Sequence, residues 1–272
     1  MKAKWLVPAV LVLVLATGGQ AQTPLLGADK FPQLRGLNGL SGSGFGVDSD
    51  GHLSLSGATS FSTPVANVLG HGHVHVNYGG ILAGTNPFTI TRKSTNNTAT
   101  GAFGMTVGAY NILVSDNVLS ERLDQAFQVQ VQVPLPTAKN MTLSFGALDV
   151  GGGAGSSGDG ILNDARSSRS LFGVVTWKFA PSDYDPNINA DRYHPMYVSV
   201  GGGTRRFANG FASISYQIAR RYRTWAEYDG FGGNVGLTYA TQVGLGGKKI
   251  ELNALAGLVN GRYLTLGIGG GF

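Results

Sequence analysis

The sequence predicts an all-β protein: a transmembrane antiparallel β-barrel of about 12 strands, formed after a signal peptide is cleaved away. Three observations carry that expectation. An apolar leader opens the chain, alternating segments fill the remainder, and their polar halves hold small uncharged residues.

The leader comes first. Met1-Lys2-Ala3-Lys4 supplies positive charge, Trp5 to Ala16 is apolar, and Gly19-Gln20-Ala21 ends in small residues that suit cleavage before Gln22. A membrane-spanning helix needs roughly 20 apolar residues, which this run does not reach. Residues 1–21 therefore read as a Sec-type signal peptide, 22–51 as an irregular lead-in rich in Gly and Ser, and 52–272 as the barrel. The first strand is expected near residue 52 or 72.

Composition narrows the classes further. The chain has 272 residues, 43 glycines, no cysteine and 13% charged residues, against an average charged share of about 25%. Mean hydropathy is nevertheless only +0.05, so apolar residues are interleaved with polar ones rather than massed. The formal charge is +5. Two of those charges leave with the leader lysines, and about +3 is too weak to imply nucleic acid. Without cysteine there is no disulfide, thiol chemistry or lipid-modified cysteine. The leader implies export, and an exported chain with no spanning helix is either soluble or crosses a membrane as a closed barrel.

The strands follow in chain order. "AFGMTVGAY" is an early, less regular one. "AFQVQVQVP" is the clearest, with Phe127, Val129, Val131 and Val133 on one face and Gln128, Gln130 and Gln132 on the other. "MTLSFGALDV", "LFGVVTWKF" and "MYVSVGGG" repeat the theme. In "FASISYQIA", Ala212, Ile214, Tyr216 and Ile218 oppose Ser213, Ser215 and Gln217. "NVGLTYATQV" precedes "KIELNALAGL", where Ile250, Leu252, Ala254, Ala256 and Leu258 oppose Glu251 and Asn253. Helical periodicity is weak, and only residues 115–125 could form a short helical turn.

The polar faces separate a soluble sandwich from a membrane barrel. A sandwich exposes Lys, Glu, Asp and Arg. Here the polar faces hold Gln, Ser, Thr, Asn and Gly, which suit the interior of a narrow barrel whose apolar face meets lipid. Aromatic residues near strand ends, among them Tyr78, Tyr110, Phe179, Tyr197, Tyr222, Tyr228, Tyr239 and Tyr263, fit interfacial girdles. The last segment, "YLTLGIGGGF", puts Leu264, Leu266, Ile268 and Phe272 on one face. It resembles the C-terminal recognition signal of bacterial outer-membrane proteins, which implies the barrel assembly machinery as a partner. On that basis the turns holding "GGKK" and "ARRY" face the periplasm, and those holding "LVNGR", "DGFGGN" and "RRFANG" face outward.

Candidate chemistry is sparse. Arg223, Glu227 and Asp229 share one parity and form, with Glu251, Gln128, Gln130 and Gln132, the expected lumenal set. Arg–carboxylate pairing would satisfy those charges in a narrow barrel. His71, His73 and His75 would face one side of a strand, roughly 6.5–7 Å apart per step. Two of them could share a metal, but no acidic residue lies close in sequence to complete a site, so polar rim residues are the expectation. "GAGSSG" matches a dinucleotide-binding pattern but lacks the helix and the later acidic residue that the pattern needs. No serine–histidine elbow or paired-acid motif stands out. No catalytic residue, metal or cofactor is expected.

Several segments together resemble the YjbH-type outer-membrane proteins. "GATSFSTPVANVLGHGHVHVNYGG" is similar to their opening segment, "MTLSFGALDVGGGAG" to their strand running into an Asp and a glycine-rich turn, and "YVSVGGGTRRF", "FASISYQI" and "TWAEYDG" to three later strands. The resemblance covers roughly residues 55 to 241, and this chain is far shorter than typical members. It implies an outer-membrane location and a link to exopolysaccharide export or organisation. The leading expectation is thus a porin-like or accessory outer-membrane barrel, with membrane lipid and polysaccharide as partners. Two alternatives stand beside it. One is a barrel enzyme modifying lipid or sugar, favoured if carboxylates gather near His194 or the His71–His75 group. The other is a secreted soluble β-sandwich adhesin.

Overall fold

The computed structural model describes residues 36–82, 96–119, 124–135, 138, 140–150, 170–179 and 195–272. The signal-peptide expectation for 1–21, His194, and most of the glycine-rich loop after Asp149 lie outside the described residues.

Twelve strands make one closed antiparallel barrel in plain chain order. They are β1 (Val74–Ile81), β2 (Asn96–Val107), β3 (Tyr110–Leu119), β4 (Asp124–Val133), β5 (Met141–Leu148), β6 (Ser170–Phe179), β7 (Met196–Gly203), β8 (Phe211–Ala219), β9 (Tyr222–Tyr228), β10 (Gly233–Leu245), β11 (Lys248–Val259) and β12 (Tyr263–Gly271). β12 pairs with β1 from His75↔Gly271 to Ile81↔Thr265, and Val74 and Phe272 exchange backbone hydrogen bonds of 2.9 and 3.0 Å. No strand edge is left open, which is the condition for crossing a bilayer with strands. The expected all-β barrel of about 12 strands is the observed fold, and the sandwich alternative is excluded.

Alternation sets the two faces. On β4, Gln128 and Gln130 are fully buried while Phe127 is exposed. On β11, Glu251, Asn253 and Leu255 are buried, and Leu252 and Leu258 are exposed. Around the wall the exposed set is apolar: Val76, Phe103, Val114, Phe145, Leu171, Val200, Leu237, Leu266 and Ile268. A continuous belt of this kind is far larger than the patches a soluble monomer tolerates, so it faces lipid. Tyr110, Tyr222, Phe179 and Phe272 ring the mouth at which the chain ends.

Three local expectations change. The wall starts at Val74, so residues 52–73 are not wall, and of the two starting points the later one is closer. Residues 115–119 belong to β3 and not to a helical turn, because β2 and β4 pair them from both sides. Tyr197 points inward and is buried against Ala58 and Val65, and Tyr263 packs inward against the cluster of Leu37, Trp225 and Val259, so neither is a girdle residue.

Residues 36–73 fill the barrel. They carry only isolated bridges, Ser43↔Ser60, Val47↔Leu53 and Val47↔Ala58. Leu37 packs on Ile81, Trp225, Leu255 and Val259, near the mouth formed by the turns 204–210, 229–232 and 260–262. The chain runs to Ser49, which meets Gln132 toward the opposite mouth, and returns to Phe61, stacked on Trp225 with ring centres 5.6 Å apart. It then descends again, and the His71 amide bonds to Thr106 just before β1. The lead-in thus crosses the lumen three times. Tight contact explains several of its glycines, Gly46 and Gly57 among them. A Cβ on Gly57 would lie 2.4 Å from the Val47 backbone, closer than any real side chain allows.

Candidate functional site

A segment with no regular secondary structure must find partners for its amides elsewhere, because a buried backbone donor without an acceptor costs about 1–3 kcal/mol. The inner wall supplies them. Glu227, on β9, carries the densest set. Its carboxylate accepts from the Phe61 amide (3.0 Å), the Ser62 amide (3.0 Å) and hydroxyl (2.6 Å), and the Thr63 amide (3.3 Å) and hydroxyl (3.0 Å). Asn234 on β10 donates to it at 2.9 Å. One carboxylate therefore holds the returning tip of the inner segment.

The other expected lumenal residues act at other depths. Gln130 accepts from the Ser41 amide (3.1 Å) and donates to the Val65 carbonyl (2.6 Å), tying two passes to β4. Gln132 accepts from the Val68 amide (2.8 Å) and donates to the Ser49 carbonyl (2.9 Å). Gln128 accepts from the Ser115 hydroxyl within the wall. Arg223 donates to the Thr59 hydroxyl at 2.6 Å. Glu251 is buried on the inner face of β11, in register with His75 across Gly271. Residues that the sequence did not single out contribute as much. Thr176 accepts from the Ala66 amide (2.8 Å), Ser215 from the Thr59 amide (3.2 Å), and Asn77 donates to the Ser43 carbonyl (3.0 Å).

An arginine outside the expected lumenal set, Arg206, meets Asp229. Asp229 lies beyond the end of β9, where its Oδ1 accepts from the Phe231 and Gly232 amides at 2.9 Å each. Its Oδ2 is 3.9 Å from Arg206, which is fully buried on a single 3-10 turn, Arg205–Phe207. Arg206 sits between the rings of Phe207 and Phe231, 5.3 and 5.1 Å from their centres. Phe207 packs on Phe172 and Phe211 over Leu40 and Ala66. The turn, its aromatics and the Arg206–Asp229 contact pack together over the inner segment at that mouth. The functional signal missed in the sequence is Arg206, an arginine in a glycine-rich turn that reads as a solvated loop.

The three histidines separate. His71 and His73 precede the first strand at the rim, while His75 is buried, stacked on Phe45 at 4.2 Å and 3.1 Å from Asn253. They do not share one face because β1 begins only at Val74. A different trio meets nearby: ligand atoms of Asp48, Asp50 and His52 lie within 4.8 Å of one another. Asp48 already accepts the Asp50 and His52 amides there, as a tight turn requires.

No protein-family profile matches the chain, and no curated protein does. Among solved structures, the chain is similar to the KdgM porin, at 11% identity over 73% of this chain and 98% of that one, with a TM-score of 0.45. The same porin in complex with disordered oligogalacturonate gives 10% identity, the same coverage and a TM-score of 0.44. An outer membrane channel from Pseudomonas putida F1 gives 7% identity over 77% and 96%, with a TM-score of 0.40. At such scores the fold assignment rests on the chain's own strand pairing.

Proposed function

We propose that this chain is an outer-membrane barrel of porin-like architecture, exported by its leader and cleaved before Gln22, whose resting state is sealed by its own residues 36–73. Its role is accessory and non-catalytic: it organises or admits a polar polymer at the membrane rather than leaking small solutes. The observation that carries this is the lumen itself. Each of the three passes is fixed to the wall by side chains of β4, β6, β8 and β9, which favours a filled lumen over an open pore. The resemblance to YjbH-type proteins favours exopolysaccharide as the polymer. It also favours a periplasmic position for the Phe272 mouth and delivery by the assembly machinery through Leu264, Leu266, Ile268 and Phe272. A non-catalytic role is favoured because Glu227 and Asp229 are engaged by backbone amides, which leaves them no access to a substrate.

The test is planar-bilayer recording of the refolded chain lacking residues 1–21, after β-rich circular dichroism confirms folding. A quiet membrane with protein inserted is expected. Stable open steps from the unmodified chain would overturn the sealed state and return the reading to a general porin.

A further inference from the structure

The outer face of the closing seam is hollow. β12 carries Gly269, Gly270 and Gly271 in a row, and Gly270 faces outward between Val76 of β1 and Leu252 of β11. Because it has no side chain, the surface sinks there into a groove of about 790 Å³, walled by Val76, Tyr78, Ile250, Leu252, Ile268 and Phe272. A second hollow of about 540 Å³ continues past Tyr78 and Ile268 toward Leu237 and Leu266. The walls of both are dominated by apolar side chains and lie on the lipid-facing surface. At the Phe272 end, Lys248 places its ammonium 4.7 Å from the centre of the Phe272 ring. Lys248 and Lys249 are both exposed, and the Lys248 ammonium has no ion-pair partner among the described residues.

We infer that this seam is a binding site for one anionic phospholipid, with an acyl chain in the groove and the phosphate on Lys248. The inference rests on the membrane reading. A lipid chain is the apolar body that a bilayer always supplies to such a hollow. The lysine sits at the mouth, where a headgroup would be, and selects negative charge. A second copy fits worse. A two-fold axis along the membrane normal would set groove against groove and bring both Lys248 ammoniums to one depth in an apolar interface.

Native mass spectrometry of the refolded chain in non-ionic detergent tests this, with equal amounts of palmitoyl-oleoyl phosphatidylglycerol and phosphatidylcholine. One retained lipid per barrel is expected, with an anionic preference of about fivefold, the ratio that ~1 kcal/mol per basic group gives. Lys248→Gln should abolish the preference but leave retention of either lipid. Gly270→Leu should abolish retention by filling the groove. If Gly270→Leu does not fold, Lys248→Gln still decides, because it alters only an exposed side chain. Equal retention of both lipids, an unchanged preference in Lys248→Gln, or a dimer mass without lipid would overturn the inference. Failure to insert into vesicles would sink the membrane reading itself, whereas insertion without lipid preference would sink only this site.

Discussion

Replacing Glu227 with alanine is expected to destabilise the folded barrel by roughly 3–5 kcal/mol and to loosen the inner segment. The carboxylate is an acceptor for three successive amides, Phe61, Ser62 and Thr63, in a part of the chain with no ladder of its own. Alanine leaves those donors buried without acceptors. Asn234 also loses the shortest of its side-chain hydrogen bonds, the one at 2.9 Å, and as a donor keeps only the longer contact to Asp229 at 3.4 Å and that to the Ser62 hydroxyl at 3.5 Å. The measurement is urea unfolding in lipid vesicles, followed by tryptophan fluorescence, since Trp225 stacks on Phe61 and reports the same region. Glu227→Gln should fall between the two. It keeps one acceptor oxygen but turns an amide donor toward backbone donors. A Glu227→Ala barrel as stable as the parent would mean that water satisfies the tip and that the segment is not fixed there.

Removing the inner segment is expected to open the lumen. A chain beginning at Leu69 retains every wall strand from Val74 onward and all the strand pairing. It loses the partners of Gln130, Thr176, Ser215 and Asn77. Water replaces them, so the loss is smaller than for groups left dry. Discrete conductance steps are expected where the full chain is quiet. If the shortened chain fails to refold, Glu227→Ala supplies the readout, with brief openings as the tip detaches. Silence from both variants, each folded and inserted, would mean that the wall is closed without its filling.

The wall was legible because each of its strands repeats one rule. Phe127 to Val133 alternates so regularly that Gln128, Gln130 and Gln132 had to share a face. The inner segment was not legible, for a physical reason. It has no hydrophobic period, and its glycines and serines look like those of a linker. Its partners lie far along the chain, as Ser62 and Glu227 do, 165 residues apart. Parity could tell that Glu227 faces inward, but not that amides rather than an arginine would meet it. The same limit hid Arg206, whose burial depends on Phe207, Phe231 and Asp229 converging from two turns. Tyr197 misled because an aromatic near a strand end fits a girdle and a core equally well, and only the pairing phase decides between them.

The central claim is that residues 36–73 lie folded inside the barrel, and amide hydrogen exchange on that segment tests it most directly. The chain lacking residues 1–21 would be refolded in lipid, exposed to deuterated water and digested, and the peptides covering residues 55–70 followed over time. Protection of the Phe61, Ser62, Thr63, Ala66 and Val68 amides, lost selectively at 61–63 in Glu227→Ala, is the result this account predicts. Exchange of those amides at the rate of an unstructured peptide, with the wall strands still protected, would contradict it.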